Sequence, residues 1–106
     1  MIAHNVYFKL HDRRPATVQS MVDDCHAYLA HLPGIVFYAA GTYCEAEPSS
    51  GDPQYDVALH VVFSDQAAFD AYMVAPKHVE LMTKHGENWK EVRAFDSHVS
   101  PGPAAG

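Results

Sequence analysis

Tyr72 and His78 stand six residues apart, on either side of Pro76. Phe69, Tyr72, Met73 and Pro76 recur at helical spacing, so Tyr72 lies on an apolar stripe and turns its ring toward a core. A buried phenol needs a polar partner for its hydroxyl. His78 follows the proline that must end or bend the helix, where the chain turns over the end of the core. An imidazole titrates near neutrality, and a phenol can hold or polarise a developing oxyanion. Meeting at the mouth of a pocket, the two form an acid–base pair. The plainer alternative is a core tyrosine hydrogen-bonded to a helix-terminal histidine.

The remaining titratable groups are dispersed. The chain has eight histidines. His26 and His31 are five apart on one helix and face different ways, while His4, His11, His60, His85 and His98 are scattered. Neither His-x-x-x-His nor Glu-x-x-His occurs, so no metal site is expected. The two cysteines, Cys25 and Cys44, have no Cys-x-x-Cys spacing and read as reduced, with Cys25 packed on an apolar helix face.

Composition narrows the class. The 106 residues suit one domain with a modest core, and 48% hydrophobic content is that of a globular chain. A net charge of −6, with no basic face, argues against nucleic acid and anionic membrane surfaces as partners. Neither a signal peptide nor an apolar run of membrane-spanning length is apparent, and a cytoplasmic location is the default expectation.

Periodicity places the elements that must position the pair. Residues 2–10 alternate, with His4, Val6, Phe8 and Leu10 on one side and Asn5, Tyr7 and Lys9 on the other, a strand pattern. Pro15 opens a helix whose stripe runs through Val18, Met21, Val22, Cys25, Tyr28, Leu29 and Leu32, until Pro33-Gly34 stops it. Residues 35–43 and 55–63 predict two strands, joined by a polar loop at 47–53. Ser64 is the expected cap of the next helix, with Asp65 in its first turn. A short helix bearing His78, Val79, Leu81, Met82 and His85 restarts after Pro76 and closes at Gly86. Residues 89–95 predict the last strand, and the domain 1–98 is followed by a Pro/Gly/Ala-rich tail, 99–106, expected to be disordered.

The order β-α-β-β-α-β, with an added short helix, predicts an α+β ferredoxin-like domain: a four-stranded antiparallel sheet with its helices on one face. The other face would carry Tyr7, Ala58, His60, Val62 and Phe95 among Lys9 and Arg93. That half-apolar surface predicts a homodimer through the open sheet face. Val6, Phe8, Leu59, Val61, Trp89, Val92 and Ala94 fall on the helix-facing side, where core packing accounts for them. A small apolar cavity is expected where the small side chains of Ala94 and Cys25 leave space.

Taken in order, these segments resemble the stress-responsive dimeric α/β-barrel (Dabb) family. The resemblance runs through His4-Asn5-Val6-Tyr7-Phe8-Lys9-Leu10, Leu32-Pro33-Gly34-Ile35, Tyr55-Asp56-Val57-Ala58-Leu59, Phe63-Ser64-Asp65, Ala71 to His78, and Val92-Arg93-Ala94-Phe95-Asp96. It implies a homodimer whose sheets form a barrel, and a cavity between sheet and helices. One enzymatic member, olivetolic acid cyclase, closes a polyketide ring without a cofactor. Its catalytic tyrosine and histidine fall on Tyr72 and His78, its first-strand histidine on His4 and its pocket tryptophan on Trp89. The family's His-Pro-x-His here begins with Ala75, the cyclase's third-strand histidine is Val57, and its first-helix aromatics are Met21, Val22 and Cys25. The pocket therefore differs in shape, and the cyclase's substrate does not carry over.

The expected catalytic residues are thus His78 and Tyr72. The expected substrate contacts are His4, Val6, Phe8, Met21, Cys25, Leu59, Val61, Met73, Trp89, Val92 and Ala94. Three functions fit: a cofactor-free cyclase, isomerase or lyase acting on a small carbonyl compound; a non-catalytic, stress-associated binder of small apolar ligands; and, ranked last, a small dimeric-barrel monooxygenase working on haem or quinols.

Overall fold

The computed structural model describes residues 1–45 and 54–103; the polar loop expected at 47–53 lies outside them. The elements are β1 (Ile2–Leu10), α1 (Pro15–Leu29), β2 (Ile35–Thr42), β3 (Val57–Phe63), α2 (Gln66–Val74), α3 (Pro76–His85), a 3-10 turn (Gly86–Asn88) and β4 (Trp89–His98). The strands form one antiparallel sheet in the order β2-β3-β1-β4, the ferredoxin-like arrangement.

Register decides which side chains share a face. His4 lies opposite Val61 on β3 and Asp96 on β4, Val6 opposite Leu59 and Ala94, and Phe8 opposite Val57 and Val92. In an antiparallel ladder opposed residues point the same way, so these line the helix side. The core under α1 and α2 is closed by Met21, Cys25, Leu29, Val57, Val61, Phe63 and Tyr72, each at most 1% exposed. Cys25 and Cys44 are both free thiols, the first buried and the second exposed.

Several boundaries follow from local chemistry. Pro15 and Pro76 occupy the first turns of α1 and α3, where a missing N–H costs nothing. Asp65, not the expected Ser64, caps α2: its carboxylate accepts from the Ala68 N–H at 2.8 Å. Aspartate and serine both accept this bond, and the chain enters the helix one residue later than the sequence pattern suggests. Gly34 takes φ +84°, and a β-carbon there would sit 2.3 Å from Ala68 Cβ, so the turn into β2 and α2 can touch only at a glycine. The last strand runs to His98, three residues beyond expectation, because β1 pairs with it along its length.

The helices cover β2, β3 and β1 but not β4. Every residue of β4 after Trp89 is exposed, including Val92 and Ala94 on the helix side. The opposite face carries a ring cluster in which Tyr7 lies 4.9 Å from Tyr55, 5.9 Å from His60 and 6.2 Å from Phe95 between centroids. Phe37 and Phe95 on that face are 56% and 51% exposed.

Candidate functional site

Because α3 lies over the β1 side of the sheet and nothing covers β4, a cavity of about 160 Å³ opens between them. Its walls are Val6, Phe8, Met73, Leu81, Met82, Trp89, Val92 and Ala94, with His4 and His78 the polar members. Phe8 and Trp89 pack 4.9 Å apart, and the indole N–H donates to Met21 Sδ at 3.4 Å, which fixes the Trp89 ring in the wall.

His78 enters from the first turn of α3, directly after the Ala75-Pro76 break, and is 8% exposed. Tyr72 enters from α2 and is 1% exposed. Their ring centroids are 4.8 Å apart. Among the described residues, neither Tyr72 Oη nor His78 Nδ1 has a hydrogen-bond partner, though both atoms are buried. Burial pushes the Tyr72 hydroxyl well above its ordinary value, with the neighbouring Cys25 adding to the effect. Burial lowers His78 below its ordinary value; His4 adds to this, and the Met73 main-chain carbonyl acts against it. At neutral pH the phenol is therefore protonated and the His78 imidazole neutral. Cys25 is pushed up to about 12 by burial and is an inert thiol.

His4 stands on the same wall. Its Nδ1 is 2.5 Å from Asp96 Oδ1, and its ring meets Phe69 edge-on at 5.0 Å and Tyr72 at 6.1 Å. A carboxylate only accepts, so the bond holds the proton on Nδ1 and leaves Nε2 as the second nitrogen. Asp96 is half-exposed and also borders an outer cleft with Ile2, Gln66, Phe69, Ser97 and His98.

Of the residues expected to contact a substrate, His4, Val6, Phe8, Met73, Trp89, Val92 and Ala94 line the cavity with His78. Met21, Cys25, Leu59 and Val61 lie in the close-packed core instead, at 3% exposure or less. Tyr72 sits behind His78 and faces a second apolar depression bounded by Leu32, Pro33, Ala71, Val74, Ala75 and Pro76. Leu81 and Met82 were legible as a helix stripe but not as cavity wall. The role of Asp96 had no local signal, since it lies 92 residues from His4. Among the described residues, no group of three or more metal-ligating side chains comes together. No helix there is long and apolar enough to cross a membrane.

The model of the stress responsive A/B barrel domain, Dabb, matches residues 2–99. The chain belongs to the Dabb family. Solved structures share the Dabb fold. A dimeric ferredoxin-like protein of unknown function from Thermobifida fusca is 21% identical, with 92% of this chain and 90% of that one covered at a TM-score of 0.79. The hydroxynitrile lyase of Passiflora edulis is 13% identical, with 97% and 96% covered and a TM-score of 0.74. SnoaB, a cofactor-independent oxygenase from Streptomyces nogalater, is 17% identical, with 95% and 94% covered and a TM-score of 0.72. No curated protein matches the chain.

Proposed function

We propose that this Dabb protein is a homodimer that carries out cofactor-independent acid–base chemistry, of the cyclase, isomerase or lyase type, on a small carbonyl compound. The observation that carries this reading is a pair of buried polar atoms with no hydrogen-bond partner among the described residues, Tyr72 Oη and His78 Nδ1, on rings 4.8 Å apart, with His78 in the wall of an apolar cavity. Leaving two polar groups buried without partners costs stability, and such costs collect at functional sites. Two structural neighbours, the hydroxynitrile lyase and the cofactor-independent oxygenase, are enzymes on the same fold, which adds support by analogy.

In this mechanism His78 is the general base. Its Nδ1 is buried, so Nε2 is the nitrogen assigned to the substrate. Nδ1–H donates to the Tyr72 oxygen once the two rings close on a bound ligand, which orients the imidazole. Nε2 takes a proton from the carbon α to the carbonyl, the electron pair moves to the carbonyl oxygen, and the proton returns to the product. A neutral imidazole in an apolar wall suits that task, because it is unprotonated at neutral pH. His4, oriented by Asp96, is the second imidazole at the same end of the cavity.

The homodimer rests on the open sheet face. Phe37, Tyr7, Phe95 and their neighbours form an apolar patch that a second copy would cover, and the Thermobifida fusca neighbour is described as dimeric.

The test is a panel of small aldehydes, ketones and cyanohydrins, assayed for thermal stabilisation and turnover with wild type and His78→Ala. Turnover in the wild type that is lost in the variant is the expected result. Ligands that stabilise both proteins equally, with no turnover in either, would identify a binding protein and end the acid–base reading.

A further inference from the structure

We infer that α3 is a movable wall of the cavity, latched shut against α1 by the Asp24 carboxylate. Of its ten residues only His78 and Leu81 are buried. A helix of that length has little stability of its own and depends on what it packs against. One of the two buried side chains is an imidazole whose Nδ1 has no hydrogen-bond partner among the described residues, so its burial holds the helix down weakly. α1, by contrast, is anchored in the core by Met21, Val22, Cys25 and Leu29.

The seam between α3 and α1 is polar. Asp24 Oδ2 accepts from Lys84 Nζ at 2.9 Å and from His85 Nε2 at 2.7 Å. The Lys77 and Lys84 ammonium groups stand 5.6 and 5.8 Å from the centroid of the Tyr28 ring. Groups of this kind regain water when they part, so such a seam opens more easily than an apolar one. Asp24 is its strongest point. Its side chain is 19% exposed, and the bonds from Lys84 and His85 hold its carboxyl below the ordinary value.

Both ends of α3 permit movement. Ala75 is the single residue between α2 and α3, extended at ψ 137°, and Pro76 has no N–H with which to continue the first helix. At the other end the 3-10 turn Gly86–Asn88 supplies slack. The slack stops at Asn88, whose side-chain oxygen accepts from the Asp12 N–H at 2.8 Å and whose carbonyl accepts from the His11 N–H at 2.8 Å. β4 and Tyr72 therefore stay in place while His78, Leu81 and Met82 move together. Opening parts the His78 ring from Tyr72, 4.8 Å away when shut, and widens the cavity against β4. Under the acid–base reading, on which this consequence rests, the pair exists only in the latched form.

Amide hydrogen exchange of the full chain, in urea below the unfolding transition, provides the test. The amides of Glu80 to His85 should exchange about a hundredfold faster than those of Val57 to Phe63, with little urea dependence. Asp24→Ala should speed them by about another tenfold, the effect of losing a hydrogen bond to a charged group. Lys84 is half-exposed, so Lys84→Ala spares the core; it removes one of the two bonds and should give a smaller rise. Exchange of the α3 amides at the rate and urea dependence of β3 would mean that the helix opens only when the whole domain unfolds, and the movable wall would be refuted. Rates unchanged in both variants would remove Asp24 as the latch. Exchange reads the motion whether or not His78 takes a proton, so the movable wall and the acid–base reading can fail separately.

Discussion

Tyr72→Phe should make this protein more stable. In most proteins, deleting a buried hydroxyl costs about 1 kcal/mol, because a hydrogen bond is lost. Here the tyrosine is 1% exposed and its oxygen has no partner among the described residues. The hydroxyl was stripped of water on folding and received nothing in return, a penalty of about 1–3 kcal/mol. Phenylalanine keeps the ring contacts, 4.8 Å to Phe63 and 4.8 Å to His78, and removes only the oxygen. A net gain of about 1–2 kcal/mol corresponds to a rise in Tm of about 4–10 °C for a domain of this size. The assay is calorimetry at neutral pH, with protein concentration held constant because the proposed dimerisation would contribute to the apparent stability. The same variant should also lose the activity proposed for the His78 site, which would be a gain in stability at the expense of function. A fall in Tm of several degrees would refute the reasoning. It would mean that the hydroxyl is paired in solution and that Tyr72 is an ordinary core residue.

Three further outcomes follow. Gly34→Ala combines a left-handed backbone with a methyl 2.3 Å from Ala68 Cβ, so it should cost about 2–4 kcal/mol in chemical denaturation; Ala68→Gly in the same chain should recover part of that, and a variant as stable as wild type would show that the turn adjusts freely. His78, lowered in the folded chain, stays neutral there while the unfolded chain takes up a proton near its ordinary value of 6.5. Stability is therefore complete above about pH 6.5 and falls as the pH drops below it, until the folded imidazole also ionises. His78→Leu should flatten that part of the pH–stability curve, and an unchanged slope would assign it to other groups. Finally, light scattering of wild type should give twice the chain mass. Phe37→Lys with Phe95→Lys, which places cations on the open sheet face, should give the single mass, and a dimer that persists would locate the interface elsewhere.

Much of this protein is local in origin. The two-residue alternation of β1 and the stripe of α1 need no tertiary information, because backbone geometry alone forces periods of 2 and 3.6. Pro76 decides that α2 stops and α3 starts, which puts Tyr72 and His78 on successive helices. Their neighbourhood was therefore readable from spacing, and the ferredoxin-like element order from periodicity, while the Dabb family was reached through resemblance.

What the chain alone did not disclose is depth and pairing. Periodicity says that Met21, Cys25, Leu59 and Val61 face inward, but not that helices seal over them while β4 stays uncovered. That difference, which depends on where α3 lies across the sheet, turns Val92 and Ala94 into cavity wall and the other four into solid core. The bond from His4 to Asp96 exists because β1 and β4, the first and last strands, pair in one particular register. Registers arise from the summed burial of a whole face, so no window of local sequence contains them.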